Sequence, residues 1–101
     1  MRSYFLTTKR LGFDVWARQE LSLALGVWGD PKVTALTGGP FSAAQVTERL
    51  ALEIANHERY GVQYWPIFMR HGGEHVGCCG LRPHAPEAGV FEFGLQLRQA
   101  F

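Results

Sequence analysis

Histidine and cysteine side chains of this 101-residue chain could bind a metal ion, and a cysteine thiolate could attack a substrate. Its four histidines are His57, His71, His75 and His84. His71 and His75 bracket the Gly72-Gly73 turn. The spacing of the four histidines does not match that of the four ligands of a structural zinc site. We therefore expect no metal site, and we expect the histidines to occupy surface turns and loops.

The two cysteines, Cys78 and Cys79, are adjacent in the sequence. Neighbouring residues of a strand point to opposite faces of the sheet, so an ordinary disulfide between them is geometrically excluded. No motif for nucleophilic catalysis surrounds them. We interpret them as small strand residues, one buried and one facing the other side, in a protein of a reducing compartment.

Composition narrows the class of protein. With 47% hydrophobic and 19% charged residues, the chain has room for one domain, residues 1–101. A formal charge of +1 offers no electrostatic footprint for nucleic acid or for an anionic membrane surface. No stretch reaches the roughly 20 apolar residues of a membrane span, and the N-terminus is too short for a secretory signal. We expect a cytoplasmic protein with neither kind of partner.

The first helix is indicated by Leu21, Leu25 and Trp28, which recur at helical spacing. Gly29 suits its C-terminal cap, and residues 30–33 are expected to form one further helical turn.

The second helix has the clearest local signal in the sequence. The Ser42 hydroxyl can cap the helix while the Gln45 side chain reaches back, which is a capping box. An apolar stripe follows at four-residue spacing, and Gly61 ends the helix. The charged residues, Glu53 among them, are assigned to its other faces.

Strands are predicted from two-residue alternation and from aromatic or β-branched runs, at residues 11–16, 63–70, 74–81 and 90–97. The second and third form a hairpin, and Pro66 requires a bulge or an edge position because proline cannot donate to a ladder. Residues 82–89, with two prolines, are predicted to be a loop. The order β-α-α-β-β-β predicts an α+β fold, a largely antiparallel sheet covered by two helices.

Five segments follow one another in the order of a known family. They are Thr8-Lys9-Arg10-Leu11, residues 28–33, residues 38–42, Gly77-Cys78-Cys79-Gly80-Leu81-Arg82 and Glu92-Phe93-Gly94. In this order and spacing, the chain resembles the N-terminal part of the GNAT superfamily, in the branch of the ribosomal-protein N-terminal acetyltransferases. The resemblance implies a partial GNAT fold and an acetyl-CoA-dependent N-acetyltransferase, with acetyl-CoA as co-substrate and no metal.

The resemblance also locates a departure from the family pattern. Residues 98–101 reach the threshold of the family's Gly-rich loop, whose backbone N–H groups would hold the pyrophosphate of acetyl-CoA. The family's fifth strand and its tyrosine acid lie beyond this region. We therefore expect a GNAT-like domain truncated before that loop, as part of a longer chain.

Site residues implied by the resemblance lie on the last predicted strand. Glu92 corresponds to a position where enzymes of this family place a general base, although it could equally be a solvent-facing strand glutamate. Backbone groups of Leu95, Gln96 and Leu97 correspond to the stretch that contacts the pantetheine arm and the acetyl carbonyl, with an N–H as oxyanion donor. The alternative is an ordinary core strand.

Three aromatic residues, Trp28, Tyr64 and Trp65, could line an acceptor pocket between the two helices and the hairpin. In the resembled family, the helices that cover the sheet line such a pocket. Aromatic residues at such positions are otherwise core residues.

The functions open at this point belong to different classes. The first is acetyl transfer to a primary amine, of a protein N-terminus or a small molecule, with an acceptor the sequence does not specify. The second is a non-catalytic, truncated GNAT-like interaction module, and the third is a small ligand-binding domain. An open edge on the last strand invites pairing with another chain, so we expect a homo-oligomer.

Overall fold

The strands of the chain form one antiparallel sheet in the computed structural model, which describes residues 2–101. The elements are β1 (Leu6–Thr7), β2 (Leu11–Phe13), α1 (Leu21–Trp28), α2 (Ala43–Tyr60), β3 (Tyr64–Met69), β4 (His75–Ala85) and β5 (Val90–Leu97). The strand order is β1-β2-β3-β4-β5, and every neighbouring pair is antiparallel. The predicted α+β class is confirmed. None of the helices within residues 2–101 combines the length and the apolar character needed to cross a membrane.

The N-terminal strand is shorter than predicted and has a partner that the sequence did not reveal. The expected strand at residues 11–16 is regular only over β2, and β1 pairs with it through Leu6↔Phe13. The chain leaves the ladder at Trp16 because this residue bonds to side-chain and backbone oxygens further along. Its backbone N–H donates to Gln63 Oε1 at 2.8 Å, and its indole Nε1 donates to the Tyr64 carbonyl at 2.6 Å.

Helix α1 and the turn after it agree with the prediction. The Gly29 N–H donates to the Leu25 carbonyl at 3.0 Å and closes the helix. The Asp30 carboxylate then accepts from the backbone N–H groups of Lys32 and Val33, at 2.8 and 3.2 Å. These bonds start the turn that leads towards α2.

Helix α2 begins and ends at the predicted residues. The Gln45 N–H donates to Ser42 Oγ at 3.2 Å, and the Ser42 N–H donates to Gln45 Oε1 at 2.8 Å. Gly61 ends the helix with φ +74°, a conformation that glycine adopts without steric cost. One assignment was wrong: Glu53 is fully buried rather than solvent-facing.

The hairpin of β3 and β4 has a bulge, but not at Pro66. Ile67 pairs with Gly77 while Phe68 pairs with His75, so Val76 is an extra residue in β4. Pro66 itself pairs in register with Cys78, and the pairing of β3 with β2 begins only at Ile67, so Pro66 lies where β3 has a strand partner on one side, as the edge alternative expects.

The predicted loop at residues 82–89 is a strand over its first part. Strand β4 continues to Ala85, with Arg82 opposite Glu92 and Pro83 opposite Phe91 on β5. Strand β3 starts at Tyr64, which pairs with Gly80, so this end of β4 has only β5 beside it. Proline is tolerated in such an edge position, and only Pro86–Ala88 form a helical turn.

The core lies between the helices and one face of the sheet. Its buried residues are Trp16, Ala24, Val27, Trp28, Val46, Leu50, Tyr64 and Cys78. The rings of Trp16 and Trp28 pack with centroids 5.3 Å apart. On β5 the apolar face is the exposed one, since Phe93 is 67% and Leu95 52% exposed.

Candidate functional site

A cavity of about 240 Å³ opens between the α1–α2 connection, helix α2 and the strands β3, β4 and β5. It is lined by Thr37, Phe41, Arg49, Tyr64, Arg82, Glu92, Gly94, Leu95 and Gln96. Four residues that the sequence singled out therefore meet here: Glu92, Leu95, Gln96 and Tyr64.

The buried ring of Tyr64 forms part of the cavity wall. A side chain at Gly94 would overlap its phenol end, so the glycine makes room for the ring. The guanidinium carbons of Arg49 and Arg82 lie 5.2 and 4.9 Å from the ring centroid, which is cation–π distance. Burial raises the pKa of Tyr64, and Arg82 only partly opposes this, so the phenol is protonated at neutral pH.

A buried carboxylate holds Arg49 in place. Arg49 Nε donates to Glu53 Oε2 at 2.6 Å, and the other oxygen of Glu53 accepts from the Tyr64 backbone N–H at 2.8 Å. The Arg49 guanidinium also lies over the Trp28 ring, 4.7 Å from its centroid. Helix α2 is thereby joined to the start of β3.

Two guanidinium nitrogens of this cavity remain unpaired. Arg49 Nη2 and Arg82 Nε are both buried, and neither has a hydrogen-bond partner within residues 2–101. Buried polar groups are normally paired, because desolvation without a hydrogen bond is costly. The two nitrogens therefore leave the hydrogen-bonding capacity of both guanidinium groups incompletely used at the wall of the cavity.

Glu92 projects from β5 at the open side of the cavity. Arg82 is its cross-strand neighbour, and His84 Nδ1 lies 4.0 Å from Glu92 Oε2. The Glu92 side chain is 55% exposed. It lines the cavity and also contacts solvent, so its position is compatible with proton exchange between a bound amine and water.

Strand β5 presents a free backbone edge beside these side chains. It is the last strand of the sheet, so one side of its backbone has no strand partner among the described residues. On the face of β5 that meets the helices, the Gln96 side chain is held in place because its Oε1 accepts from Trp28 Nε1 at 2.9 Å. Leu97 lies beyond the cavity, opposite Gly77.

Comparison with known proteins assigns the family. The model of the acetyltransferase (GNAT) domain matches residues 10–101. This chain belongs to the GNAT acetyltransferase family. A search of curated proteins found no match.

Solved structures share the fold of this GNAT domain. An acetyltransferase from Agrobacterium tumefaciens is 23% identical with a TM-score of 0.74, and the match covers 98% of this chain and 60% of that one. A Bordetella pertussis protein described as a GNAT-family acetyltransferase is 17% identical with a TM-score of 0.72, covering 94% of this chain and 59% of that one. The GNAT domain thus spans about 60% of the length of these structures.

Two of the aromatic residues proposed for the pocket do not line the cavity of the GNAT domain. Trp28 is a core residue that contacts two lining residues, Arg49 and Gln96, and itself lines a neighbouring cavity of about 430 Å³ with Phe41 and Arg49. Trp65 points to the opposite face of β3 from Tyr64, where it packs 5.3 Å from Phe5 and donates from Nε1 to His57 Nδ1 at 3.3 Å. Of the three, only Tyr64 lines the cavity.

His75 differs from the surface position expected for the histidines. It is buried next to the bulge, donates from Nε2 to the Gly77 carbonyl at 2.9 Å, and accepts on Nδ1 from Arg98 Nη1 at 3.2 Å. Burial, reinforced by the Arg98 charge, lowers the pKa of His75 to about 4, so the ring is neutral. Within residues 2–101, no cluster of His, Cys, Asp or Glu could hold a metal ion.

Arg49 and Arg82 are the charged cavity residues that sequence reasoning missed, and Thr37, Phe41 and Gly94 are the uncharged ones. Arg82 was assigned to a loop, and no local pattern places a loop arginine beside an aromatic ring. Arg49 had a readable signal, since Glu53 follows it at the i,i+4 spacing of a helical ion pair.

Proposed function

We propose that this GNAT domain contributes the amine-binding side of an acetyl-CoA-dependent N-acetyltransferase site. The observation that carries the proposal is that one cavity joins Glu92 to the Leu95–Gln96 stretch of β5. Membership of the GNAT acetyltransferase family supports acetyl transfer over a non-catalytic interaction module.

The chemistry assigns each group a separate task. Glu92 accepts a proton from the ammonium form of the acceptor, and the free amine nitrogen then bonds to the thioester carbonyl carbon while the carbon–sulfur bond breaks. The carbonyl oxygen gains negative charge in the transition state, and a backbone N–H in Leu95–Leu97 would donate to it. After the nitrogen–carbon bond forms, the nitrogen loses its second proton and the departing sulfur takes up one, so the reaction yields an amide and a thiol, and Glu92 returns its proton to water.

The β5 edge fits the arm of acetyl-CoA. Extended ligands with amide groups bind strand edges through main-chain hydrogen bonds, and β5 has one edge free within the described part of the chain. When bound, acetyl-CoA supplies an activated acetyl group. The residues of this domain orient the amine, move its proton and stabilise the oxyanion.

The acceptor is a primary amine on a protein N-terminus or a small molecule. The sequence resemblance to the ribosomal-protein N-terminal acetyltransferases favours the former, and the size of the cavity suits a group of about one small residue. Both acceptors place the amine next to Glu92.

The first experiment is a calorimetric titration of acetyl-CoA into the protein, followed by mass spectrometry of an amine panel. We expect micromolar binding and acetylated amines. Glu92→Gln should slow transfer by roughly 10²- to 10⁴-fold, as loss of a general base does, and leave acetyl-CoA binding unchanged.

Glu87→Gln is the matched control. Glu87 is exposed and lies outside the cavity lining, so the variant should keep the rate of the unmodified protein. The proposal fails if acetyl-CoA does not bind, or if Glu92→Gln transfers acetyl as fast as the Glu87→Gln control.

A further inference from the structure

Two charged groups that line the cavity, Arg82 and Glu92, do not form an ion pair with each other. Arg49 is neutralised, because Glu53 bonds to it at 2.6 Å and is itself fully buried. Arg82 has no carboxylate within 4.0 Å among residues 2–101, although Glu92 is its cross-strand neighbour. The cavity therefore holds a guanidinium and a carboxylate that are close together but not paired.

The guanidinium of Arg82 is also fixed in position. It lies over the Tyr64 ring, and its Nε is buried without a hydrogen-bond partner among the described residues. Arg49 lines the same cavity, and its guanidinium packs on the same ring. Guanidinium groups bind planar anions well, carboxylates above all, because N–H groups and oxygens match in geometry.

The spacing of Arg82 and Glu92 limits the ligand further. Residues directly opposite each other on antiparallel strands have Cβ atoms about 5 Å apart. Both residues also line one cavity of about 240 Å³, so a ligand that neutralises both must carry its positive and negative groups a few bonds apart. A volume of about 240 Å³ suits a ligand of about one small residue.

We propose that the acceptor is an amine with a carboxylate a few bonds away, whose carboxylate binds Arg82 and Arg49 while its ammonium group lies beside Glu92. The role of this molecule as the acceptor rests on the proposed acetyl transfer. Its binding to the cavity does not require acetyl-CoA. Such a group has two sources: a free amino acid, or the N-terminal Asp or Glu of a peptide.

The test is an NMR titration of the ¹⁵N-labelled protein without acetyl-CoA. One pair of probes is L-alanine and L-alaninamide, which differ in the carboxylate alone. A second pair is Asp-Ala amide and Asn-Ala amide, which differ in the side-chain carboxylate. We expect the carboxylate member of one pair to bind at least about tenfold more tightly and to shift the amide signals of Gly94 and Leu95.

The two pairs distinguish the sources. A preference within the alanine pair indicates a free amino acid, and a preference only within the peptide pair indicates an acidic N-terminus. Equal affinity within both pairs, or no binding of any probe, overturns the proposal. This comparison uses the unmodified protein, so it does not depend on the folding of a variant.

Arg82→Gln should abolish the tenfold preference. The matched control is Arg59→Gln, because Arg59 also lies over a tyrosine ring, 5.0 Å from the Tyr60 centroid, but is exposed and outside the cavity. A preference that survives in a folded Arg82→Gln variant overturns the assignment to Arg82. Carboxylate-dependent binding without acetyl transfer would contradict the proposed function alone, whereas transfer that is equally fast with both members of each pair would contradict this inference alone.

Discussion

Glu53 is the residue on which the candidate site is built, although it does not line the cavity. Its carboxylate is fully buried and accepts from both Arg49 and the Tyr64 backbone, while its own carbonyl accepts from Gln63 Nε2 at 2.9 Å. One side chain thus fixes the cation on α2 and the start of β3. A buried charge of this kind is costly to leave unpaired, so its removal tests the arrangement.

Glu53→Ala should lower the free energy of unfolding by about 3 kcal/mol, because it leaves the Arg49 guanidinium and the Tyr64 N–H without their partner. Urea denaturation measures this loss. Glu48→Ala, an exposed position on the same helix, should stay within about 0.5 kcal/mol. Equal midpoints for the two variants would contradict the role of Glu53.

His75 makes stability depend on pH in a defined window. The unfolded chain takes up a proton at this ring near pH 6.5, whereas the folded chain does so only near pH 4, because burial and Arg98 lower the pKa. The unfolded state therefore binds more protons between these values, and the free energy of unfolding falls as the pH drops from 6.5 to about 4. Allowing for solvent screening, we expect a loss of order 2 kcal/mol.

The check is urea denaturation at several pH values for the unmodified protein and His75→Gln. The variant should lack the part of the slope that belongs to His75, and His71→Gln, at an exposed turn, should retain it. A slope in His75→Gln as steep as that of the unmodified protein would refute the assignment.

Some of the individual residues of the candidate site could be predicted from the sequence. Glu92, Leu95, Gln96 and Tyr64 were identified, and all four line the cavity. Arg82 was missed because its role arises from strand pairing with Glu92 and from packing on Tyr64, and both are tertiary contacts. The assignment of Glu53 to a solvent face failed for the same reason, since its partners lie outside the helical pattern.

Elements defined by local chemistry were predicted most closely. Helix α2 begins at Ser42 and ends before Gly61 because a capping box and a positive-φ glycine are encoded within a few residues. The extents of β2 and β4 were wrong, since strand ends depend on which neighbour is available. Strand β1 was missed because two residues carry no periodicity.

Ser42→Ala should lower the free energy of unfolding by about 1 kcal/mol, because the Gln45 N–H loses its acceptor. The bond from the residue 42 N–H to Gln45 Oε1 should weaken as well, because the two bonds of a capping box support each other. Ser42→Asp supplies another side-chain acceptor and should restore the stability. The measurement is the urea midpoint of the three proteins. Identical midpoints for Ser42→Ala and the unmodified protein would show that the capping box does not stabilise the fold.

For the whole molecule, the distribution of apolar surface on β5 is the main feature. Phe93, Leu95 and Leu97 are exposed, while the same strand turns Gly94 and Gln96 towards the helices. An apolar strand at the end of a sheet favours association with another chain. We therefore keep the proposal of a homo-oligomer.

Light scattering over a range of protein concentrations should show a species larger than a monomer. Phe93→Lys should shift it towards the monomer, because a charge on this surface opposes burial. Leu36→Lys is the control, since Leu36 is 99% exposed and belongs to a turn outside the sheet. A monomer at every concentration would refute the proposal.

The adjacent thiols of β4 can report on the opening of the folded core. Cys78 is fully buried, with its pKa raised by burial to about 12, while Cys79 is partly exposed, with a pKa also raised by burial. A thiol reagent that needs the thiolate should modify Cys79 slowly in the native protein and reach Cys78 only when the sheet opens. The rate of the second modification, at Cys78, therefore measures the rate at which the core opens. Mass spectrometry can follow this rate, because each modification adds a known mass.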